Sequence, residues 1–381
     1  MSQERLDDCL HLPSLSIKGF RGIKELSIER LGRVTLLAGK NGVGKTTILD
    51  AVQVYAARGR PSVLSELLES REEISAATDE NDESIEAPDF AALFYGRNAS
   101  GACISIGPKS DSDQLRIEWT ALSDEQVSRL EEFLHGFITN GHTQALKIVF
   151  QDAEQVLPLF LTPKLATDKI GYQYVRRLLK EAESPSPIEY HSLDPGLLSN
   201  NEIARFWDAI ALTDDEDRAV QALKLILGNE VDRVAVIGDD DPRSLYRGYG
   251  RRVVVKLQGQ ARPVPLKSLG DGALRLFSVA LAQTNSRGGF LLIDEAENGI
   301  HHSMQPDFWR MVFKTAYANN VQVIATTHSF DCVRGFAQAA VECEEVEGAL
   351  VRIERKDEEM WGVEYSESDL RIAAEQRIEV R

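Results

Sequence analysis

Cysteine is scarce in this chain of 381 residues, and so are long apolar stretches. The cysteines are widely scattered, which fits neither a disulfide framework nor the paired spacing of a zinc site. No apolar stretch approaches the roughly 18 residues needed to cross a bilayer, and no basic-then-apolar leader opens the chain. We therefore expect a cytoplasmic protein that neither is secreted nor spans a membrane. The four cysteines are Cys9, Cys103, Cys332 and Cys343.

A surplus of positive charge is also missing. The chain has 43 lysines and arginines against 60 acidic residues, which gives a net charge of −17. The overall field therefore argues against a protein that binds DNA through charge alone, and any contact with nucleic acid would need a local basic patch. We interpret the two basic groups in the sequence as solvated faces. They are Arg243, Arg247, Arg251, Arg252 and Lys256, and Arg176, Arg177 and Lys180.

Glycine, by contrast, is concentrated at one place. It occurs three times in the eight residues from Gly39 to Thr46. The apolar run Val34–Ala38 precedes this segment, and the helical pattern of Ile48, Leu49 and Val52 follows it. A buried strand, a glycine-rich turn and a helix in this order are typical of a P-loop, which binds the phosphates of a nucleotide.

Each part of this motif has a chemical task. Backbone N–H groups and the helix N-terminus neutralise the phosphates. Lys45 is expected to reach the β- and γ-phosphates, Thr46 to ligate Mg²⁺, and Thr47 to help cap the loop. The predicted nucleotide-binding residues here are Gly39, Lys40, Asn41, Gly42, Val43, Gly44, Lys45, Thr46 and Thr47.

The rest of the chain alternates between strand and helix patterns. Prolines and the absence of a sustained heptad exclude a long coiled-coil arm in the middle third, which we interpret as a compact helical insertion. Strand patterns occupy parts of residues 13–38, 104–119, 234–257 and 350–365, and helical periods occur in 123–137 and 203–210.

A second strand ends in two carboxylates. The apolar run Phe290–Ile293 is followed by Asp294 and Glu295, which is the form of a Walker B element. Asp294 is expected to hold the Mg²⁺ hydration shell, and Glu295 to orient or deprotonate the attacking water. An ordinary polar strand end is the alternative interpretation.

A histidine follows the next predicted strand. His328 comes directly after the run 321–327, at the edge of the sheet where ligands bind in open α/β folds. It could contact the γ-phosphate and report its loss. The adjacent pair His301 and His302 is interpreted as structural or as part of an interface, because neighbouring histidines are poor metal co-ligands.

A second glycine-rich loop precedes a helical pattern. It comprises Ser268, Leu269, Gly270, Asp271 and Gly272. A helix N-terminus can bind an anion, and one nucleotide pocket does not need two phosphate-binding loops from the same chain. Ser268, Gly270, Asp271 and Gly272 are therefore expected to cap a nucleotide held by another subunit, with a plain glycine turn as the alternative.

These motifs, taken in order, resemble the ABC-type ATPase head shared by the RecF, SMC and OLD families. More narrowly, the chain looks like the OLD-type ATPases of bacterial defence systems, and the resemblance spans nearly its whole length. The segments that carry this likeness are Phe20 to Gly22, Ser268 to Gly272, Asp294 to His302 and Ala325 to Ser329.

The resemblance implies ATP and Mg²⁺ as cofactors and a homodimer joined head to head. Each ATP would lie between the P-loop of one subunit and the Ser268–Gly272 signature of the other. Asn298 to His302 would line the dimer interface, and Glu295 would be the hydrolytic base. The catalytic set is then Glu295, Lys45 and His328, and the metal ligands are Thr46 and Asp294.

The implied fold is an α/β P-loop NTPase of ABC-ATPase type. It has a mixed sheet core, an N-terminal antiparallel β-subdomain and a helical insertion. We predict that residues 1–122 form the N-terminal part of the head, 123–230 the insertion, and 231–381 the C-terminal part with the signature, Walker B element and His328.

One departure from the OLD pattern bears on function. OLD nucleases carry a TOPRIM nuclease domain after the ATPase, whereas the residues after His328 are too few for one and predict two strands and a helix from Ser366. Asp239 to Asp241 is interpreted as a turn rather than a metal site. We therefore expect an ATPase that regulates a separately encoded, TOPRIM-like effector, as in phage-defence pairs such as the PARIS system.

Two alternatives stay open. One is a RecF-like DNA-repair ATPase that binds duplex DNA directly. The other is a scaffold whose ATP is structural and is never hydrolysed.

Overall fold

The computed structural model describes residues 10–78, 84–99, 101–110, 113–124, 144–159, 186–227, 231–238, 251–365 and 369. Several sequence predictions lie outside these residues. They concern Cys9, the helical pattern of 127–137, the acidic run 239–241, the basic residues 176–180, Arg243 and Arg247, and the helix predicted to begin at Ser366.

A six-stranded central sheet carries the P-loop. Its strand order is β10-β14-β15-β3-β16-β17, and all neighbouring pairs are parallel except β16 with β17. β3, β14 and β15 are buried along their full lengths, as expected for strands covered on both faces. The strands are β3 (Val34–Ala38), β10 (Tyr190–Leu193), β14 (Phe290–Ile293), β15 (Gln322–Thr327), β16 (Gly348–Lys356) and β17 (Glu359–Tyr365).

A second, antiparallel sheet packs beside the first helix. Its strand order is β2-β1-β6-β7-β8-β9. The strand patterns predicted within 104–119 are present as β6 and β7, which pair as a hairpin. The strands are β1 (Leu15–Phe20), β2 (Ile23–Ile28), β6 (Cys103–Gly107), β7 (Leu115–Ala121), β8 (Gln144–Phe150) and β9 (Ala153–Pro158).

The range 123–230 differs in part from the expected helical insertion. Its residues 144–158 form β8 and β9, which extend the antiparallel sheet. Leu146, Ile148 and Phe150 point to the same side and are buried, which is the two-residue period of a strand. Helix occurs later in this range, at 200–210 and 214–227, so the proposed domain boundaries stay a prediction.

The described helices surround the two sheets. α5 lies between two of the hydrophobic cores, because Leu276, Val279 and Ala280 pack into one and Leu274, Phe277 and Leu281 into the other. The helices are α1 (Lys45–Ala56), α2 (Pro61–Ser70), α3 (Asn200–Ile210), α4 (Asp214–Leu227), α5 (Asp271–Asn285), α6 (Gln305–Asn319) and α7 (Phe330–Glu342).

Two small sheets complete the described structure. A three-stranded sheet packs against α3 and α4, and a short hairpin follows α2. Their strands are β11 (Val231–Gly238), β12 (Arg251–Leu257), β13 (Val264–Pro265), β4 (Ile74–Thr78) and β5 (Ser84–Pro88). Among the residues that the structure describes, no helix is long and apolar enough to cross a membrane.

Candidate nucleotide site

The turn between β3 and α1 has the backbone shape that only glycine tolerates well. Gly44 precedes α1 with φ 110° and Gly42 has φ 76°, both in the region that L side chains rarely adopt. A Cβ on Gly39 would lie 2.7 Å from the carbonyl oxygen of Ile353, so the chain passes too close to β16 for a side chain. The glycines found in the sequence are therefore required by this turn.

Lys45 is held inside the turn. Its side chain is 7% exposed, and Nζ donates to the carbonyl oxygens of Gly39 at 2.7 Å and Lys40 at 3.0 Å. Burial lowers the pKa of the Lys45 ammonium, and the negative charges of Glu297, Asp294 and Glu295 oppose this shift. The loop thus fixes the position of the Lys45 ammonium, and the carboxylates of Glu297, Asp294 and Glu295 are close enough to affect its pKa.

The Walker B strand meets the P-loop helix directly. The Thr46 hydroxyl donates to Oδ2 of Asp294 at 2.9 Å, although the two residues are 248 positions apart. Asp294 is nearly buried, and its Oδ1 accepts from the hydroxyl of Thr326 at 2.5 Å. A hydroxyl and a carboxylate in contact are the hard oxygen ligands that Mg²⁺ prefers.

Glu295 leaves the strand in another direction. Its backbone is left-handed, with φ 46°, and its N–H donates to Oγ1 of Thr326 at 2.9 Å. Its Oε2 accepts from the amide of Asn298 at 2.9 Å. The turn at the strand end therefore gives the two adjacent carboxylates separate surroundings, which is what two different tasks require.

His328 lies at the same edge of the sheet, after β15. Its Nδ1 is 3.1 Å from Oε1 of Glu297 and 3.9 Å from Oε1 of Glu295. Its backbone N–H donates to Oε1 of Glu297 at 2.9 Å. Glu297 has no assigned role in the sequence prediction, yet it is the carboxylate that contacts His328 most closely.

The signature loop, residues 268–272, is largely exposed. Ser268, Gly270 and Asp271 are exposed, and Gly270 precedes α5 with φ 104° and without a side-chain cap. Among the described residues, no hydrogen bond or ion pair joins 268–272 to the Gly39–Thr47 segment. A helix N-terminus that is open to solvent can receive an anion from another molecule.

Arg275 is a further residue that the sequence prediction did not single out. It is 1% exposed and lies on α5, one turn after Asp271. Its guanidinium donates to the carbonyl oxygens of Asp194, Gly196 and Asp294, at 2.8, 2.7 and 3.3 Å. Burial lowers the pKa of Arg275, and Asp194, Asp294 and Glu297 oppose that shift. Arg275 thereby connects α5, which follows the signature loop, to the end of the Walker B strand β14.

Other candidate residues have local partners. The ring centroids of His301 and His302 lie 4.1 Å apart with the rings tilted by 41°, and the His301 side chain accepts from the backbone N–H of Ser303. No group of three metal-ligating side chains was found in the described ranges. Arg251 pairs with Asp208, whereas Arg252 and Lys256 are exposed. The interpretation of these basic residues as a solvated face stays a prediction.

Comparisons with known proteins identify relatives over most of the chain. A profile of one protein family, described as "AAA domain, putative AbiEii toxin, Type IV TA system", matches residues 34–331. An ATP/GTP phosphatase of Helicobacter pylori is 21% identical over 339 residues, which cover 84% of this chain and 85% of that protein. An OLD nuclease of Thermus scotoductus is 23% identical over 337 residues, which cover 84% of this chain and 59% of the nuclease.

Among solved structures, an SMC head bound to the C-terminal winged-helix domain of ScpA aligns over 94% of this chain and 98% of its own, with 13% identity and a TM-score of 0.48. The family match spans the P-loop, the signature loop, the Walker B strand and His328. The chain therefore belongs to the family described as an AAA domain of AbiEii type, and it is an ATPase of the ABC/OLD-like kind.

Proposed function

We propose that this chain binds ATP with Mg²⁺ and hydrolyses it between two copies joined head to head. The observation that carries the proposal is the 2.9 Å hydrogen bond between Thr46 and Asp294. It brings the hydroxyl of a P-loop next to the carboxylate of a Walker B strand, where one Mg²⁺ could contact both. Lys45, buried beside them, supplies the fixed positive charge for the phosphates.

The division of tasks follows from the surroundings of each group. Asp294 and Thr46 would hold the metal ion, and the metal ion would neutralise negative charge on the phosphates. Glu295 would orient or deprotonate the water, because its side chain is 34% exposed and is held by Asn298. His328 would face the γ-phosphate. The backbone N–H groups of residues 39–47 would complete the phosphate site.

A second subunit would complete each site. The proposal is supported by the exposed signature loop, whose helix N-terminus has no side-chain cap and which, among the described residues, makes no hydrogen bond or ion pair with the P-loop of its own chain. In the proposed dimer, Ser268, Gly270, Asp271 and Gly272 of one copy close over the nucleotide of the other. Binding of ATP then favours the closed dimer, and hydrolysis opens it.

The proposed role of this cycle is to license a partner. One relative is an OLD nuclease, and the chain spans 59% of its length. We propose that a separately encoded TOPRIM-like nuclease acts with this ATPase in anti-phage defence, and that both work in the cytoplasm.

The test is phosphate release by Glu295→Gln. This change keeps the size of the side chain and its hydrogen bond with Asn298 but removes the base, so we expect turnover to fall by about 100-fold or more. We also expect light scattering to detect a dimer that persists only with ATP and Mg²⁺. Glu358→Gln, at an exposed ion pair with Lys24, is the matched control. Equal phosphate release by Glu295→Gln and the wild type would refute hydrolysis by this mechanism.

A further inference from the structure

Glu297 lies in the loop after β14, and its surroundings differ from those of Glu295. Its side chain is 11% exposed, against 34% for Glu295. One oxygen, Oε1, accepts from the backbone N–H of His328 at 2.9 Å and lies 3.1 Å from Nδ1 of the same residue. Glu297 therefore contacts both the backbone and the ring of the histidine.

The other carboxylate oxygen is left without a partner. Oε2 of Glu297 is buried, and no described residue donates a hydrogen bond to it. Nδ1 of His328 is likewise buried without a hydrogen-bond partner among the described residues, although Oε1 is within 3.1 Å. A buried, unpaired carboxylate oxygen costs free energy of folding, and such a cost is typical of groups that have a functional role.

Glu297 also faces the P-loop. Three carboxylates raise the pKa of Lys45. Glu297 raises it most, ahead of Asp294 and Glu295. It also lies close enough to influence Arg275 on α5. Glu297 thus contacts His328 and lies close enough to Lys45 for its charge to act on the ammonium group.

We propose that Glu297 is a positioning residue for ATP hydrolysis, which holds the His328 ring by its Nδ1 edge and directs Nε2 toward the γ-phosphate. This inference rests on the ATPase function proposed above. A carboxylate that accepts from one nitrogen of a histidine fixes the ring orientation at the other nitrogen. The contact of 3.1 Å would become an aligned hydrogen bond when the nucleotide is bound, since hydrogen bonds of catalytic groups often tighten only in the substrate complex. Glu295 then remains available for the water.

A double-mutant cycle tests this role. Glu297→Gln keeps an acceptor for the backbone N–H of His328 but removes the charge that faces the ring. We expect this variant and His328→Ala each to lower kcat by about 10-fold or more, with the Kd for ATP changed less than about threefold. Because both changes disturb one unit, the double variant should be no slower than His328→Ala alone. Glu358→Gln should retain the wild-type kcat.

Two results would overturn the inference. They are a wild-type kcat for Glu297→Gln, and a double variant whose loss equals the product of the two single losses. Should Glu297→Gln fail to fold, Glu297→Asp keeps the charge but withdraws it by one methylene. An unchanged kcat for this folded variant would equally contradict the role. In protein that contains ¹⁵N-labelled histidine, the Nδ1 resonance of His328 should differ between the wild type and either variant of Glu297.

Failure of this inference can be separated from failure of the proposed function. Lys45→Ala removes the phosphate-binding charge and should abolish ATP binding, as measured by calorimetry. If Lys45→Ala still releases phosphate, the proposed function itself is wrong. If it does not, and Glu297→Gln is fully active, only the role of Glu297 is wrong.

Discussion

Asp50 carries a buried carboxylate on α1, one turn after Thr46. Burial raises the pKa of Asp50, and the guanidinium of Arg71, which donates to Oδ1 at 2.7 Å, opposes this shift. A buried charge is tolerated when its partner is close, and the loss of one partner is costly. This pair therefore lies on the helix that carries Thr46, and its loss should weaken that helix.

We predict that Arg71→Met lowers the free energy of unfolding by about 1–3 kcal/mol at pH 8. The expected loss is below the roughly 3–5 kcal/mol of a fully buried pair, because the Arg71 side chain is 37% exposed. Without Arg71, the pKa of Asp50 rises further above its unfolded value. The folded state then binds the extra proton as the pH falls, so the loss should be smaller at pH 5 than at pH 8.

Urea denaturation at both pH values measures this difference. Lys18→Met is the matched control, since the pair Lys18 and Glu25 is exposed on both sides and should contribute little. A loss in Arg71→Met that is equal at pH 5 and pH 8 would show that Asp50 does not depend on Arg71.

Some of these residues were predictable one by one and others were not. Lys45 and Thr46 follow from the spacing of the Gly39–Thr46 motif, and Asp294 follows from the apolar run Phe290–Ile293 that it ends. Glu297 was not assigned because its role depends on a contact with His328, which lies 31 positions away. Arg275 gave a signal that could have been used, since it is a lone charge within an apolar helical pattern.

At the scale of elements, α5 connects the signature loop to the rest of the site. Its first turn approaches the loop after β14 closely, because a Cβ on Gly272 would lie 3.1 Å from the carbonyl oxygen of Gly299. Arg275 then joins this helix to the end of β14 and to the chain after β10. The position of the signature loop is therefore coupled to the strand that carries Asp294.

We predict that Arg275→Met destabilises the fold by about 2–4 kcal/mol. Methionine fills a similar volume, but the carbonyl oxygens of Asp194, Gly196 and Asp294 lose their donor, and the bond to Asp294 is buried. Relief of the desolvation cost of the guanidinium offsets part of this loss. Urea unfolding measures it.

The control for this change is Arg287→Met, just beyond the end of the same helix. Arg287 is 57% exposed and 3.9 Å from Asp215, so its loss should stay below about 0.5 kcal/mol. Equal stabilities of Arg275→Met and the wild type would mean that other groups supply donors to the three carbonyl oxygens.

The elements themselves were predicted best where the pattern was long and apolar. β3, β14 and β15 read as continuous apolar runs, which is typical of strands covered on both faces. β8 and β9 were missed because helical periods on either side were extended across them. The alternation of Leu146, Ile148 and Phe150 contained the correct period, but it is short.

For the whole molecule, the proposed dimer can be tested through activity, without detecting the dimer itself. Lys45→Ala damages the P-loop but leaves the signature loop intact, and Asp271→Arg does the reverse. In a mixed dimer, one composite site combines the intact P-loop of one chain with the intact signature loop of the other. The two inactive variants should therefore restore activity to each other.

An equal mixture should release phosphate at about a quarter of the wild-type rate, because half of the dimers are mixed and each has one intact site. Asp271→Arg alone should bind ATP as the wild type does, which calorimetry can verify. A mixture no more active than the separate variants would contradict sites shared between chains.

The overall fold class was predictable from the motifs, since an α/β P-loop architecture follows from their order along the chain. The boundaries at 122 and 230 stay predictions. The sequence shows where patterns change, but not which strands join an existing sheet, and β8 and β9 join one that begins at Leu15.

The neighbours of β3 also set the order of events during synthesis. In the central sheet, Val34–Ala38 pairs with β15 and β16, whose residues lie about 290 to 315 positions later in the chain. In a nascent chain this apolar strand therefore lacks its partners in the sheet until the ribosome has added both later strands. Pairings of such long range form slowly and leave the waiting segment open to aggregation. We therefore expect newly made copies to be most prone to aggregation before the strand of Gly348–Lys356 has emerged.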